Sequence, residues 1–316
     1  MITTMQKEPL VILTGPTAVG KTKLSIELAK QINGEIISAD SMQVYRRMNI
    51  GTAKITEVEK EGIPHHLIDI LEPWEDFNVV AFQSYAKQAV QTIRDRGKIP
   101  IVVGGTGFYI QALLYGIDFT ENESNTELRN RLETESEKDG GISLHRYLMQ
   151  IDPAAAKAIH PNNRKRVIRA VEYYELTGQR ISEHNEEQRQ NEPVYNSAYF
   201  VLTMNRDELY QRIDMRVDQM LQEGLISEVE ALLAEGCKED MLSMQGLGYK
   251  EIIRYLNHEL SLEEAVYILK RDTRHFAKRQ LTWFRREREV IWLDKDAEKG
   301  DLLELCLSEL KQKEII

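Results

Sequence analysis

The octet Gly15-Pro16-Thr17-Ala18-Val19-Gly20-Lys21-Thr22 has the G-x-x-x-x-G-K-[ST] spacing of a loop that grips phosphate. Its glycines let the backbone curl so that N–H groups face an anion, and a helix starting behind them adds the positive end of its dipole. Lys21 supplies a cation to outer phosphate oxygens. The Thr22 hydroxyl is a ligand type for Mg2+. Phosphoryl chemistry of this kind also predicts an aspartate at the end of a second apolar strand, to hold the metal. Asp40, closing "EIISAD", and Asp69, closing "HHLID", are the candidates. "KIPIVV" runs instead into Gly104-Gly105-Thr106, with no carboxylate. Asp40 therefore stands out twice, as a candidate metal ligand and as a carboxylate with chemical work beside the loop. His65 and His66 are adjacent on a strand-like run. They point to opposite faces, which disfavours joint chelation.

These groups need a scaffold, and residues 9 to 119 read as one. "LVILT", "GEIISAD" and "KIPIVVGGTG" are short apolar runs. Between them lie helical stretches: "KTKLSIELAKQI", with Leu24, Leu28 and Ile32 four apart, and "FQSYAKQAVQTIRDRG". Strand, helix, strand implies parallel strands with crossover helices, an α/β sheet. Ligands of such sheets sit at the carboxyl ends of the strands. "GPTAVGKT", "ADSMQVY" and "GGTGFY" all fall there. Residues 120 to 198 change character: polar residues rise, helical patterns such as "LRNRLETESE" and "RKRVIRAVEYYELTG" replace strands, and "NEEQRQNEPVYNSA" reads as a loop. "YFVLTMN" returns to strand. Two long helical regions, a short strand "VIWLD" and a last helix complete the chain. The expectation is a parallel sheet with a phosphate loop, flanked by helices, formed by 1–119 and 199–316, with a mostly helical insertion at 120–198.

The chain has 316 residues, 42% hydrophobic and 29% charged, the balance of a globular protein. No apolar run is long enough to span a bilayer. The start has no secretory pattern, and two cysteines, Cys237 and Cys306, cannot build a disulfide framework, so the cytoplasm is expected. The formal net charge of −10 argues on average against nucleic acid, but the charge is segregated. "RDTRHFAKRQLTWFRRER", 271 to 288, holds seven Lys or Arg against two acids, and "RKRVIR", 164 to 169, holds four and none. These stretches keep an RNA partner open.

Taken together the motifs closely resemble one family, the tRNA dimethylallyltransferases (tRNA isopentenyltransferases), in their bacterial form. The resemblance rests on "GPTAVGKT", "DSMQVYRRMNIGTAK", "PHHLID", "GGTGFY", "RAVEYYELTGQ", "RVDQM", "GLGYKE" and "AKRQLTWFR", in that order along nearly the whole chain. No Cys/His zinc-finger extension follows the core.

The resemblance implies transfer of a five-carbon group from dimethylallyl diphosphate to the exocyclic amine of the adenosine immediately 3′ of the anticodon. The tRNAs would be those reading codons that begin with U. The loop, Gly15 to Thr22, would hold a diphosphate leaving group, with Mg2+ on Thr22 and Asp40. Asp40 would take the amine's proton, Thr106 would lie near the amine, and Arg216 would help bind the diphosphate. Ser41, Met42 and Gln43 would line a pocket for the adenine, which must be extruded from its stack to be reached. Arg129, Lys165, Arg166, Val167, Ile168 and Arg169 would face the tRNA anticodon stem-loop from the insertion. Gln245, Gly246, Leu247, Gly248, Tyr249 and Lys250 would face it from the helical part. The segment before "RVIRAVE" reads "HPNNRKR" where the family pattern is expected to read "HPNDPQR", so Lys165 replaces a glutamine. A monomer is expected. The runner-up is a small-metabolite kinase, which accounts for the loop, Asp40 and Arg216 but not for the basic helices. An RNA-binding nucleotide switch would need a guanine-reading motif, and the chain has none.

Overall fold

The computed structural model describes residues 7–119, 126–297 and 301–316. β1 (Pro9–Thr14) runs through the glycine-rich loop into α1 (Lys21–Gln31), and β2 (Gly34–Ala39) follows. After a one-turn α2 (Glu57–Lys60) and a two-residue β3 (His65–His66), α3 (Val79–Asp95) leads back to β4 (Ile99–Gly104) and α4 (Gly107–Leu114). Five helices come next: α5 (Thr126–Lys138), α6 (Ile142–Ile151), α7 (Pro153–Ala158), α8 (Arg164–Thr177) and α9 (Ile181–Gln190). The chain then forms β5 (Asn196–Thr203), α10 (Arg206–Glu223), α11 (Leu225–Ala234), α12 (Tyr249–Leu256), α13 (Leu262–Phe284), β6 (Val290–Asp294) and α14 (Leu302–Gln312).

The six strands make one parallel sheet in the order β3-β2-β4-β1-β5-β6. A central parallel strand is covered on both faces, so it must be apolar on both. β1 obeys this: Leu10, Val11, Ile12 and Leu13 are fully buried. Each contributes roughly 1.5–3 kcal/mol relative to exposure. From β1 the chain crosses to β2 on one side, while β5 pairs along its other side from Pro9↔Asn196 to Thr14↔Val201. The carboxyl end of β1 is therefore a topological switch point, where open α/β sheets bind ligands. The glycine-rich loop starts there.

Local chemistry sets the helix ends. The Asn78 side chain accepts from the N–H groups of Val80 and Ala81 and starts α3, which buries Phe82, Ala86, Ala89, Val90 and Ile93 on one stripe. Ser261 and Glu264 form a reciprocal cap at the start of α13. Gly224, at φ +103°, breaks the long run after 206 into α10 and α11.

Residues 7–114 and 193–316 make one compact unit, and 115–192 make another. The second has its own core of Leu132, Leu144, Leu148, Val167, Ile168 and Val171. The expected first residue of the insertion, 120, lies outside the described residues.

The structure differs from the sequence reading in three places. Residues 185–190, expected to open a loop, form the later part of α9; that helix buries no residue, so it carries no apolar stripe to read. β5 begins at Asn196, three residues before the expected strand start at Tyr199, because its first two positions are only half-buried and carry no apolar signal. β3 covers only His65 and His66, shorter than the strand-like run "HHLID", because Leu67 and Asp69 take positive φ and end it. Among the described residues no helix is long and apolar enough to cross a membrane.

Candidate active site

The loop between β1 and α1 holds three residues at positive φ: Gly15, Ala18 and Gly20. Two are glycines, which tolerate it. Ala18, at φ +65°, carries strain of the kind that persists where the surroundings over-determine the backbone. The N-cap of α1 is Gly20, which offers no side-chain cap. The first-turn N–H groups thus lack the usual side-chain acceptor and can face an anion.

Cations surround this loop. The Lys21 ammonium folds back and donates to the carbonyls of Gly15 (2.9 Å) and Pro16 (2.8 Å). Burial and the Arg216 guanidinium push its pKa down to about 7, partly offset by the Asp40 carboxylate. Lys21 is therefore poised between a cation on α10 and an anion at the end of β2. The sequence reading named all three, and the fold brings them together. Burial and the nearby Arg212 also lower the pKa of Arg216 itself. Two further cations escaped the sequence reading. Arg212, one turn before Arg216 on α10, donates from Nε to the Ala18 carbonyl at 2.9 Å. Lys295, just past β6, donates to the Val19 carbonyl at 3.3 Å. The i, i+4 spacing of Arg212 and Arg216 was the available signal for the first. Lys295 had none, since its place depends on the β5–β6 pairing.

Asp40 follows the last residue of β2. Its Oδ1 accepts from the N–H groups of Met42 (2.8 Å) and Gln43 (3.3 Å), which fixes the carboxylate at the head of the Ser41–Gln43 turn. Among the described residues Oδ2 has no hydrogen-bond partner, so one oxygen is anchored and the other is available. The Gln43 side chain donates to the carbonyls of Thr52 (3.3 Å) and Ala53 (3.4 Å). Thr106 joins the same strand end, its N–H donating to the Ala39 carbonyl at 3.2 Å.

Gln280 of α13 ties the loop to the "GGTG" turn. It accepts from Thr17 N–H at 2.9 Å and donates to the Gly105 carbonyl at 3.0 Å. A Cβ on residue 105 would lie 2.1 Å from Gln280 Nε2, so the contact requires glycine. Gln280 sat inside the "AKRQLTWFR" motif without an assigned role.

Thr22 lines a small open cleft together with Ser25, Ser38, Gln43, His65 and Ile68. Thr22 and Asp40 give hard oxygen donors, the set Mg2+ takes alongside phosphate oxygens and water. Among the described residues no three His, Cys, Asp or Glu side chains converge as a metal group. His65 is engaged with the Ile63 carbonyl at 2.8 Å and His66 with the buried Glu35 at 2.7 Å.

The segment 245–250 lies against the same end of this unit. Gly246 packs on the Met42 side chain and Gly51 on the Tyr249 ring. Tyr249 and Gly248 are buried, so from this segment only Gln245 is openly exposed, with Gly246, Leu247 and Lys250 partly so. In the second unit, Lys165, Arg166 and Arg169 are exposed along α8. Val167 and Ile168, expected to face RNA, are instead 1% and 4% exposed in that unit's core. The α8 face alternates as an amphipathic helix must, and the basic run was read as one block. Arg129 is half-buried, bonded to Glu133 at 2.9 Å and Glu172 at 3.0 Å. Arg169 reaches the same buried Glu172 at 3.4 Å.

Fold and site together define a doubly wound parallel α/β protein. Its glycine-rich loop, at the switch point, is ringed by cations and faced by one carboxylate. The IPP transferase family profile matches residues 43–287, and that of isopentenyl transferases residues 9–70. A tRNA dimethylallyltransferase of Lachnoclostridium phytofermentans is 63% identical over 98% of this chain and 99% of its own. One from Carboxydothermus hydrogenoformans is 53% identical over 92% and 93%. The solved tRNA isopentenylpyrophosphate transferase of Bacillus halodurans superposes with a TM-score of 0.73 at 47% identity, covering 98% of both chains. A eukaryotic dimethylallyltransferase acting on tRNA superposes at 0.82 with 31% identity, over 98% of this chain and 79% of that one. The chain belongs to the IPP transferase family.

Proposed function

We propose that the chain transfers a dimethylallyl group from dimethylallyl diphosphate to tRNA, onto the exocyclic amine of the adenosine 3′-adjacent to the anticodon, in tRNAs reading codons that begin with U. The observation that carries this is the convergence of Lys21, Arg216 and Asp40: an anion cradle with a half-anchored carboxylate beside it. The carbon–oxygen bond to the diphosphate breaks, and the diphosphate leaves with the electron pair. A carbon–nitrogen bond forms to the adenine amine. The amine's proton passes to Asp40 Oδ2, since Oδ1 is already held by two N–H groups. Loop N–H groups, Lys21 and Arg216 stabilise the charge growing on the leaving group. Thr22 would hold Mg2+, which when bound neutralises diphosphate charge, while Asp40 Oδ2 is kept for the proton. Thr106, fixed beside the end of β2, would orient the amine.

The exposed Lys165, Arg166 and Arg169 would contact phosphates of the anticodon stem-loop. The whole cradle is supplied by one chain, which supports action as a monomer. Buried, unpaired Cys237 and Cys306 suit the cytoplasm. The relatives' names give no support to the small-metabolite kinase. The test is to incubate the protein with Mg2+, isotope-labelled dimethylallyl diphosphate and unmodified tRNA, then digest the RNA and weigh its nucleosides. Label on adenosine establishes the reading; phosphorylation of a metabolite from ATP, with no label in RNA, overturns it.

A further inference from the structure

Glu228, on α11, was not singled out by any motif. Its carboxylate accepts four hydrogen bonds. Oε2 takes the N–H groups of Asn49 and Ile50, both at 2.8 Å. Oε1 takes the Gly51 N–H at 3.0 Å and the Tyr249 hydroxyl at 2.7 Å. Three successive backbone donors on one carboxylate fix the turn 49–51 as a capped helix start is fixed. The turn then passes its position on. The carbonyls of Thr52 and Ala53 hold the Gln43 side chain, and Gln43 N–H reaches Asp40 Oδ1 at 3.3 Å. On the other side a Cβ at residue 51 would lie 2.6 Å from the Tyr249 ring, so the turn and α12 meet without slack. All four lone-pair sites of the Glu228 carboxylate are engaged from within the chain.

We propose that Glu228 is a positioning residue for the acceptor base: it sets the 49–53 turn, and through it Gln43 and Asp40, so that the pocket accepts an extruded adenine. This rests on the prenyl-transfer reading above. It predicts a loss confined to the base. A positioning role must also spare the loop, because Glu228 makes no contact with residues 15–22 among the described residues.

The test compares wild type with Glu228→Ala and the milder Glu228→Gln. Each is measured for binding to inorganic diphosphate, to an anticodon stem-loop carrying the acceptor adenosine, and to the same stem-loop lacking that one base. Tyr249→Phe, which removes one of the four bonds, serves as a graded variant. The expected result is that Glu228→Ala weakens binding of the intact stem-loop roughly 10–100-fold. Glu228→Gln should weaken it less and Tyr249→Phe least, with diphosphate and base-less RNA unchanged. Equal losses for both RNAs, lost diphosphate binding, or no loss would overturn the proposal. A wild-type protein that does not distinguish the two RNAs would sink the tRNA reading itself, and this inference with it.

Discussion

The Gln280 side chain holds the Thr17 backbone: its carbonyl accepts from Thr17 N–H at 2.9 Å while its amide donates to Gly105 at 3.0 Å. One amide thus locks the glycine-rich loop to the turn that precedes Thr106, through a helix some 175 residues downstream of that turn. A carboxamide can serve both partners because it carries one acceptor and two donors. Glutamate cannot, since an ionised carboxylate only accepts. Gln280→Glu therefore keeps the Thr17 bond and sets a negative oxygen against the Gly105 carbonyl. Steady-state assays varying the diphosphate should show kcat/KM lowered about 10–100-fold, the cost of one unsatisfied buried group. An unchanged kcat/KM would show that the Gln280 bridge does not shape the diphosphate site.

Lys21 predicts a pH dependence of definite sign. Its pKa is pushed down to about 7, so above pH 7 the ligand-free amine is increasingly neutral. Bound diphosphate favours the ammonium. Binding then takes up a proton above pH 7, and affinity falls as pH rises, approaching about tenfold per pH unit. Calorimetry in buffers of different ionisation enthalpy reads the uptake directly. Lys21→Arg, charged throughout this range, should flatten the profile. Proton release, or no proton exchange, contradicts this picture.

The outer face of the loop makes a separate claim. Arg212 and Lys295 hold the carbonyls of Ala18 and Val19 and so brace the loop backbone from α10 and from the residue after β6. Replacing either by alanine should weaken inorganic diphosphate by about 2–10-fold, the range of a single net hydrogen bond, with kcat nearly unchanged. Arg216→Ala should lower kcat as well, since that guanidinium also acts on the departing charge.

Much of this was legible in the chain, and the reasons are physical. The sheet and its loop show because buried parallel strands must be continuously apolar and phosphate loops need glycine at fixed offsets. Asp40 shows because it ends an apolar run beside that loop. Gln280, Arg212, Lys295 and Glu228 do not, because each acts on backbone groups far away in sequence, and backbone groups leave no residue signature. Val167 and Ile168 were misplaced for a related reason: a basic stretch was read by charge, while a helix distributes its residues by angle.

That last difference can be measured. Lys165→Ala and Arg166→Ala should each reduce the slope of log affinity for the stem-loop against log salt by about 0.7–0.9, without changing thermal stability. Ile168→Ala should leave that slope alone and destabilise the protein by about 2–5 kcal/mol, as truncation of a packed core residue does. The reverse assignment of effects would mean that α8 presents its other face.

In the proposed reaction Asp40 takes the proton as the carbon–nitrogen bond forms, beside a loop that holds the leaving diphosphate. A single-turnover transfer of labelled dimethylallyl from its diphosphate to tRNA, comparing wild type with Asp40→Asn, tests it most directly. Asparagine preserves the Oδ1 contacts to Met42 and Gln43 and removes only the base. The rate should fall by about 10²–10⁴ with diphosphate binding retained. Transfer at an undiminished rate would contradict it.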